Sequence, residues 1–200
     1  MARRRDLWTG AGPGANPFAL PRGPLGWGAG WFLARANRTQ NAEVAGFLRA
    51  FGGGDVLEVG HGPGILVELL ARQCDSTVTG VDPSAEMVRM ARRRNAGAVR
   101  AGRVRLRRAS AQDTGCADES VDLVVTVNTV AMWPRLDGGL TEFHRVLRPG
   151  GRAVVTWHRT PERFALTPDE LDTIEVAVRK RFGTVERHQL PSSVVFSATR

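Results

Sequence analysis

Tyrosine is absent from this chain, cysteine occurs only twice and lysine once, at Lys180. Without tyrosine, a dehydrogenase-type Tyr/Lys catalytic pair is excluded. The two cysteines, Cys74 and Cys116, have neither metal-binding spacing nor partners for a disulfide framework. No metal site is therefore expected, and a reducing cytoplasm is the expected location. No apolar run approaches the roughly 20 residues that span a bilayer, so no membrane association is expected. Met1 to Gly10 carries arginines without an apolar stretch behind them, which does not read as a secretory signal.

What the chain does contain is ordinary for a globular protein: 200 residues, 42% of them hydrophobic, enough for one domain with a substantial core. The formal charge of +8 raises the question of a nucleic-acid partner. Yet every basic residue except Lys180 is arginine, alongside abundant alanine and glycine. That pattern fits codon bias in a GC-rich genome, which weakens charge as evidence. The run Arg92-Arg93-Arg94 with Arg100, Arg103, Arg105, Arg107 and Arg108 reads as a solvated face.

Residues 1–36 form a distinct arm, rich in Gly and Pro at its start and bearing Trp8, Trp27, Trp31 and Phe32. It is expected to act as a helical cap or lid, with Trp27 and Trp31 toward substrate. Residues 37–200 read as the domain proper. Val44, Phe47, Leu48 and Phe51 share one helical face, ended by Gly52-Gly53-Gly54. Strands and helices then alternate: strands at 56–59, 77–81, 104–108, 121–127 and 152–157, with helices at 65–72, 84–95 and 136–147. Ser84 is placed to cap the second of these helices. After a helix at 168–182, strands at 183–189 and 193–199 leave room only for a tight turn, so they must be antiparallel.

The most informative stretch is Val56-Leu57-Glu58-Val59-Gly60-His61-Gly62-Pro63-Gly64, which leaves a strand and opens a helix. Glycines there let a ligand lie against the backbone, and the helix start offers free N–H groups. Asp82 ends the next strand, followed by Pro83, where a carboxylate can accept both hydroxyls of a ribose.

These features resemble the class I S-adenosylmethionine-dependent methyltransferases, in particular their small-molecule branch, over about residues 40–160. Glu58 matches the acid that opens the family's glycine motif, Gly60 and Gly62 its glycines, and Asp82 its ribose-binding acid. Ser110-Ala111-Gln112-Asp113 falls where the family lines the adenine, with Ser110 at a position usually held by Asp. His144 to Gly151 matches a stretch leading into the family's fifth strand. The resemblance implies an α/β, seven-stranded Rossmann-like sandwich whose last strand is antiparallel, preceded by an N-terminal helical cap. It also implies S-adenosylmethionine as cofactor, with S-adenosylhomocysteine as product.

The cofactor residues are accordingly Glu58, Gly60, His61, Gly62, Gly64, Asp82, Pro83, Ser110, Ala111, Gln112 and Asn128. Met132 and Trp133, with Trp27 and Trp31, are the substrate candidates. His158 follows the fifth strand at the sheet edge where ligands sit, and it is the candidate base because an unperturbed imidazole titrates near about 6.5. The expected acceptor is a small molecule of natural-product or secondary metabolism, methylated on O, N or C. The chain lacks the Asn/Asp-Pro-Pro-aromatic tetrapeptide of amino-methylating nucleic-acid enzymes and a Pro-Cys nucleophile. Nucleic acid is therefore not the expected partner. The alternatives are an RNA methyltransferase, a nicotinamide-dependent oxidoreductase and a non-catalytic cofactor-binding module.

Overall fold

A computed structural model describes residues 7–10, 37–73, 76–160 and 162–200. Seven strands make one sheet in the order β3-β2-β1-β4-β5-β7-β6. They are β1 (Val56–Val59), β2 (Val78–Asp82), β3 (Val104–Arg108), β4 (Val121–Val127), β5 (Leu147–His158), β6 (Glu186–Gln189) and β7 (Ser193–Thr199). The first five pair in parallel, and β7 runs antiparallel to both neighbours, β5 and β6. The helices are α1 (Arg38–Leu48), α2 (Ile65–Gln73), α3 (Ala85–Arg94), α4 (Ala96–Arg100), α5 (Leu136–Val146) and α6 (Pro168–Phe182).

The central strands are apolar on both faces because helices cover both. Side chains alternate: Leu57, Val124, Val155 and Phe196 join the core with Leu140 and Phe143 of α5 and Ile174 of α6. Their neighbours Val56, Val125, Val154 and Val195 pack with Val44 of α1, Leu66 of α2 and Ala91 of α3. The sheet is thus the middle layer of three. Ser84 caps α3 as expected, accepting from the Met87 N–H at 3.3 Å. Thr167 and Glu170 close a capping box at the start of α6.

Three local features differ from the sequence expectation. Pro149-Gly150-Gly151 does not separate helix from strand. The helix ends at Val146, and β5 begins at Leu147 opposite Val121, then slips register before Arg152 pairs with Leu123. The extra residues form a bulge, a place where Pro and Gly are tolerated in a strand. The short α4 and a 3-10 turn at Val130–Met132 lack the apolar period that reveals longer helices. Finally, the expected cap helix and its residues Trp27 and Trp31 lie outside the described residues. Of the arm, Leu7 to Gly10 are described: Trp8 Nε1 donates to the Val130 carbonyl at 2.8 Å, and Gly10 N–H to that of Pro134 at 2.9 Å.

Among the described residues no helix is long and apolar enough to cross a membrane.

Candidate active site

Parallel strands deliver their following loops to one edge, and there a cavity of about 370 Å³ opens over the carboxyl ends of β1, β2, β4 and β5. Its floor is the glycine loop. Gly60 has φ +78°, a left-handed value, and a Cβ there would sit 2.3 Å from the Thr129 methyl. Only glycine meets both demands. Gly62 lines the cavity, whereas Gly64 stands behind it. A Cβ on Gly64 would strike Ala91 of α3 at 2.7 Å, so this glycine serves the packing of loop on helix.

Asp82 joins the first two loops. Its Oδ2 accepts the Gly62 N–H at 2.9 Å and its Oδ1 the Ser84 N–H at 2.8 Å. Each carboxylate oxygen has two lone pairs, so both can still take a hydroxyl from the cavity side. Burial raises the Asp82 carboxyl above its ordinary pKa, opposed by His61 and by these two N–H donors.

Glu58 and His61 share the same floor, each 3% exposed. The His61 Nδ1 lies 2.7 Å from the Gly62 carbonyl oxygen, which can only accept, so Nδ1 carries the hydrogen. Nε2 is left as a lone pair with no partner among the described residues, and the same holds for Glu58 Oε2. Burial, then the nearby Asp82 charge, pushes the Glu58 carboxyl well above the usual range. Burial holds the His61 imidazole below its ordinary value, against the pull of Asp82.

Ser110, Ala111 and Gln112 form a second wall, after β3. Asp113 N–H donates to Ser110 Oγ at 3.1 Å, which keeps this turn closed. Pro83 and Met87 complete that side.

The third wall follows β4. Asn128 adopts a left-handed φ of +58°, which asparagine tolerates better than most residues. Its amide pairs with Gln40 of α1, and Gln40 Nε2 also donates to Ser193 Oγ at 3.0 Å. Trp133 is held by a one-way relay. Its indole N–H donates to Thr129 Oγ1 at 3.2 Å, Thr129 shares a hydrogen bond with Thr126, and Thr126 donates to the Val59 carbonyl at 2.8 Å. An indole only donates and a carbonyl only accepts, so the relay starts at Trp133 and ends at Val59, which both hydroxyls can reach. Gly139 of α5 leaves room for the ring, since a Cβ there would stand 2.5 Å from it.

His158 closes the fourth side, flanked by the rings of Trp157 and Phe164. Burial pushes its imidazole down to about 4, so it is neutral at neutral pH.

Every described residue assigned to the site from sequence lines this cavity except Gly64. Asn37, Asn41, Ile65, Met87, Thr129 and Pro134 also line it without having been singled out. Asn37 and Asn41 among them had a weak signal, side-chain amides at a helix start. Gln40 had none, because its partners lie far along the chain.

The arginine run is the expected solvated face, with Arg92, Arg93, Arg94, Arg100, Arg103, Arg105 and Arg108 exposed and Arg107 half-buried, and several of its members also donate to backbone carbonyls. Arg92 donates to the Leu106 carbonyl, Arg94 to Pro63, Arg103 to Ala71, Arg107 to Gly115 and Arg108 to Pro83. Two of these bonds, from Arg94 and Arg108, brace the glycine loop and the turn after Asp82.

Known proteins place this architecture. Residues 57–155 match the methyltransferase domain family. An uncharacterized methyltransferase of Bacillus subtilis is 33% identical over 129 residues, covering 64% of this chain and 69% of its own length. A ubiquinone/menaquinone biosynthesis C-methyltransferase of Geotalea daltonii is 36% identical over 115 residues, covering 56% of this chain. The match spans about half that enzyme's length, 48%. In three dimensions, a Methanococcus maripaludis structure assigned as an S-adenosyl-L-methionine-dependent methyltransferase superposes with a TM-score of 0.75. It covers 87% of this chain and 93% of the other at 18% identity, a likeness of fold. With the glycine loop, the strand order and these relatives agreeing, the nicotinamide alternative falls away, and the chain belongs to the class I S-adenosylmethionine-dependent methyltransferases.

Proposed function

We propose that the cavity binds S-adenosylmethionine and delivers its methyl group to a small, largely apolar molecule. The observation that carries this reading is the meeting of Gly62 and Asp82 in one wall, 2.9 Å apart through an N–H and a carboxylate oxygen. That contact puts a ribose-accepting acid beside a backbone floor that a ligand can approach closely. The chain fits the cofactor in two further respects. The floor holds unpartnered buried polar atoms, Glu58 Oε2 and His61 Nε2, suited to an amino-acid end. The wall at Ser110, Ala111 and Gln112 is suited to a flat base.

When bound, S-adenosylmethionine supplies a methyl group already activated by its sulfonium, so the protein's task is placement. In-line placement corresponds to effective molarities of about 10⁵–10⁸ M. Asn128, Met132, Trp133 and Pro134 shape the space beyond the loop, and Trp133 is immobilised by its hydroxyl relay. His158 faces the same space as a neutral imidazole that can accept a hydrogen bond from a hydroxyl acceptor, but a pKa of about 4 makes it a weaker base than the sequence led one to expect. The acceptor wall is apolar apart from amides, a hydroxyl and this imidazole, which supports a neutral, lipophilic acceptor. The quinone-pathway name of the Geotalea daltonii relative points the same way. The lack of an Asn/Asp-Pro-Pro-aromatic tetrapeptide speaks against an RNA substrate.

Titration calorimetry with S-adenosylmethionine and S-adenosylhomocysteine tests the cofactor assignment. Binding of both is expected, and no heat at millimolar ligand would overturn it. Transfer of radiolabelled methyl to a panel of quinols, phenols and fatty acids, against bulk RNA, tests the acceptor class. Label appearing in RNA alone would reverse it.

A further inference from the structure

Two carboxyl groups, Glu58 and Asp82, lie buried under one ligand-sized cavity, and they are not equivalent. Asp82 spends its oxygens on two backbone N–H groups, from Gly62 and Ser84, which stabilise a negative charge there. Glu58 has one backbone donor, the Val67 N–H, and leaves its buried Oε2 with no partner among the described residues. Neighbouring buried carboxyls do not both ionise readily, so the proton of the pair rests on Glu58.

We infer that docking of the cofactor's amino-acid end expels one proton from the Glu58 carboxyl, leaving a carboxylate that accepts from the incoming ammonium. The O–H bond of Glu58 breaks, the proton passes to solvent, and an ammonium N–H takes its place as donor to Oε2. This deepens the cofactor assignment and rests on it.

The neighbours do not absorb the released proton. Asp82, on β2, keeps its charge because both N–H donors persist. His61, in the loop, has its Nδ1 hydrogen committed to the Gly62 carbonyl, and a cation arriving beside it opposes a second proton. From α2, the Glu68 carboxylate is turned to Arg72 and Arg94. β4 contributes only apolar and hydroxyl side chains at this level.

The consequence is a cofactor affinity that rises with pH. This rise is expected over the range in which the ligand's own amino group remains charged.

Calorimetry of the whole chain in buffers of different ionisation enthalpy reads the proton directly. With S-adenosylhomocysteine, net proton release is expected by linkage. With 5′-methylthioadenosine, which lacks the amino-acid end, none is expected. Glu58→Gln should bind S-adenosylhomocysteine with no release and a flat pH profile. Release that is absent with S-adenosylhomocysteine, or equal for both ligands, overturns the inference while leaving the cofactor assignment standing. Equal release in Glu58→Gln also overturns it. If that variant fails to fold, the two-ligand comparison in the unmodified chain still decides. Failure of every ligand to bind would instead bring down the cofactor assignment, and this inference with it.

Discussion

Gln40 and Asn128 exchange two amide hydrogen bonds, Nε2 to Oδ1 at 3.1 Å and Nδ2 to Oε1 at 2.6 Å, across 88 positions of sequence. The pair ties α1 to the end of β4 where the backbone is left-handed. Gln40→Leu would strand both polar atoms of the Asn128 side chain, at about 1–3 kcal/mol for an unsatisfied buried group. Urea denaturation should show that loss, and unchanged stability would mean that solvent replaces Gln40 at this place.

Asp82→Ala should weaken S-adenosylmethionine binding at least tenfold by calorimetry, at about 1.4 kcal/mol per tenfold. Two effects act together: loss of the ribose acceptor and release of the Gly62 N–H. Affinity equal to that of the unmodified protein would remove Asp82 from the ribose.

Gly60→Ala places a methyl against Thr129 in a backbone geometry that L-residues avoid. Left-handed strain alone costs about 1–2 kcal/mol, and overpacking adds about 1–3 kcal/mol. Thermal unfolding should register a loss of at least about 2 kcal/mol on these grounds. Retention of full stability would show that the Thr129–Trp133 wall yields without strain.

His158 should titrate near 4 by NMR, well below an exposed histidine. Its pKa is lower folded than unfolded, so between about 6.5 and 4 the unfolded chain binds more protons. Stability is then complete above the unfolded value and falls as pH drops through that window. His158→Gln should flatten this part of the stability profile. An inflection near 6.5 in the folded protein would show the imidazole in water.

Much of this was readable before folding. Val56 to Gly64 announces strand, loop and helix because each piece obeys a local rule: apolar run, glycine, then helical period. The Pro191-Ser192 turn forces β6 and β7 antiparallel by length alone. The acid after β2 was legible too, but its bonds to Gly62 and Ser84 were not, since they depend on how two loops meet. Gln40 was invisible for the same reason. The β5 start was misplaced because Pro-Gly-Gly looks alike in a helix stop and in a strand bulge.

The placement of β7 between β5 and β6 also sets an order of construction. On the ribosome six strands emerge before the one that links the fifth to the sixth. Until Ser193 to Thr199 leave the exit tunnel, β5 keeps an open edge and Glu186–Gln189 has no ladder to join. Ser193 pairs with His158 and accepts from Gln40, so its arrival steadies two sides of the cavity at once. The cavity is therefore completed by a strand synthesised far from the glycine loop that begins it.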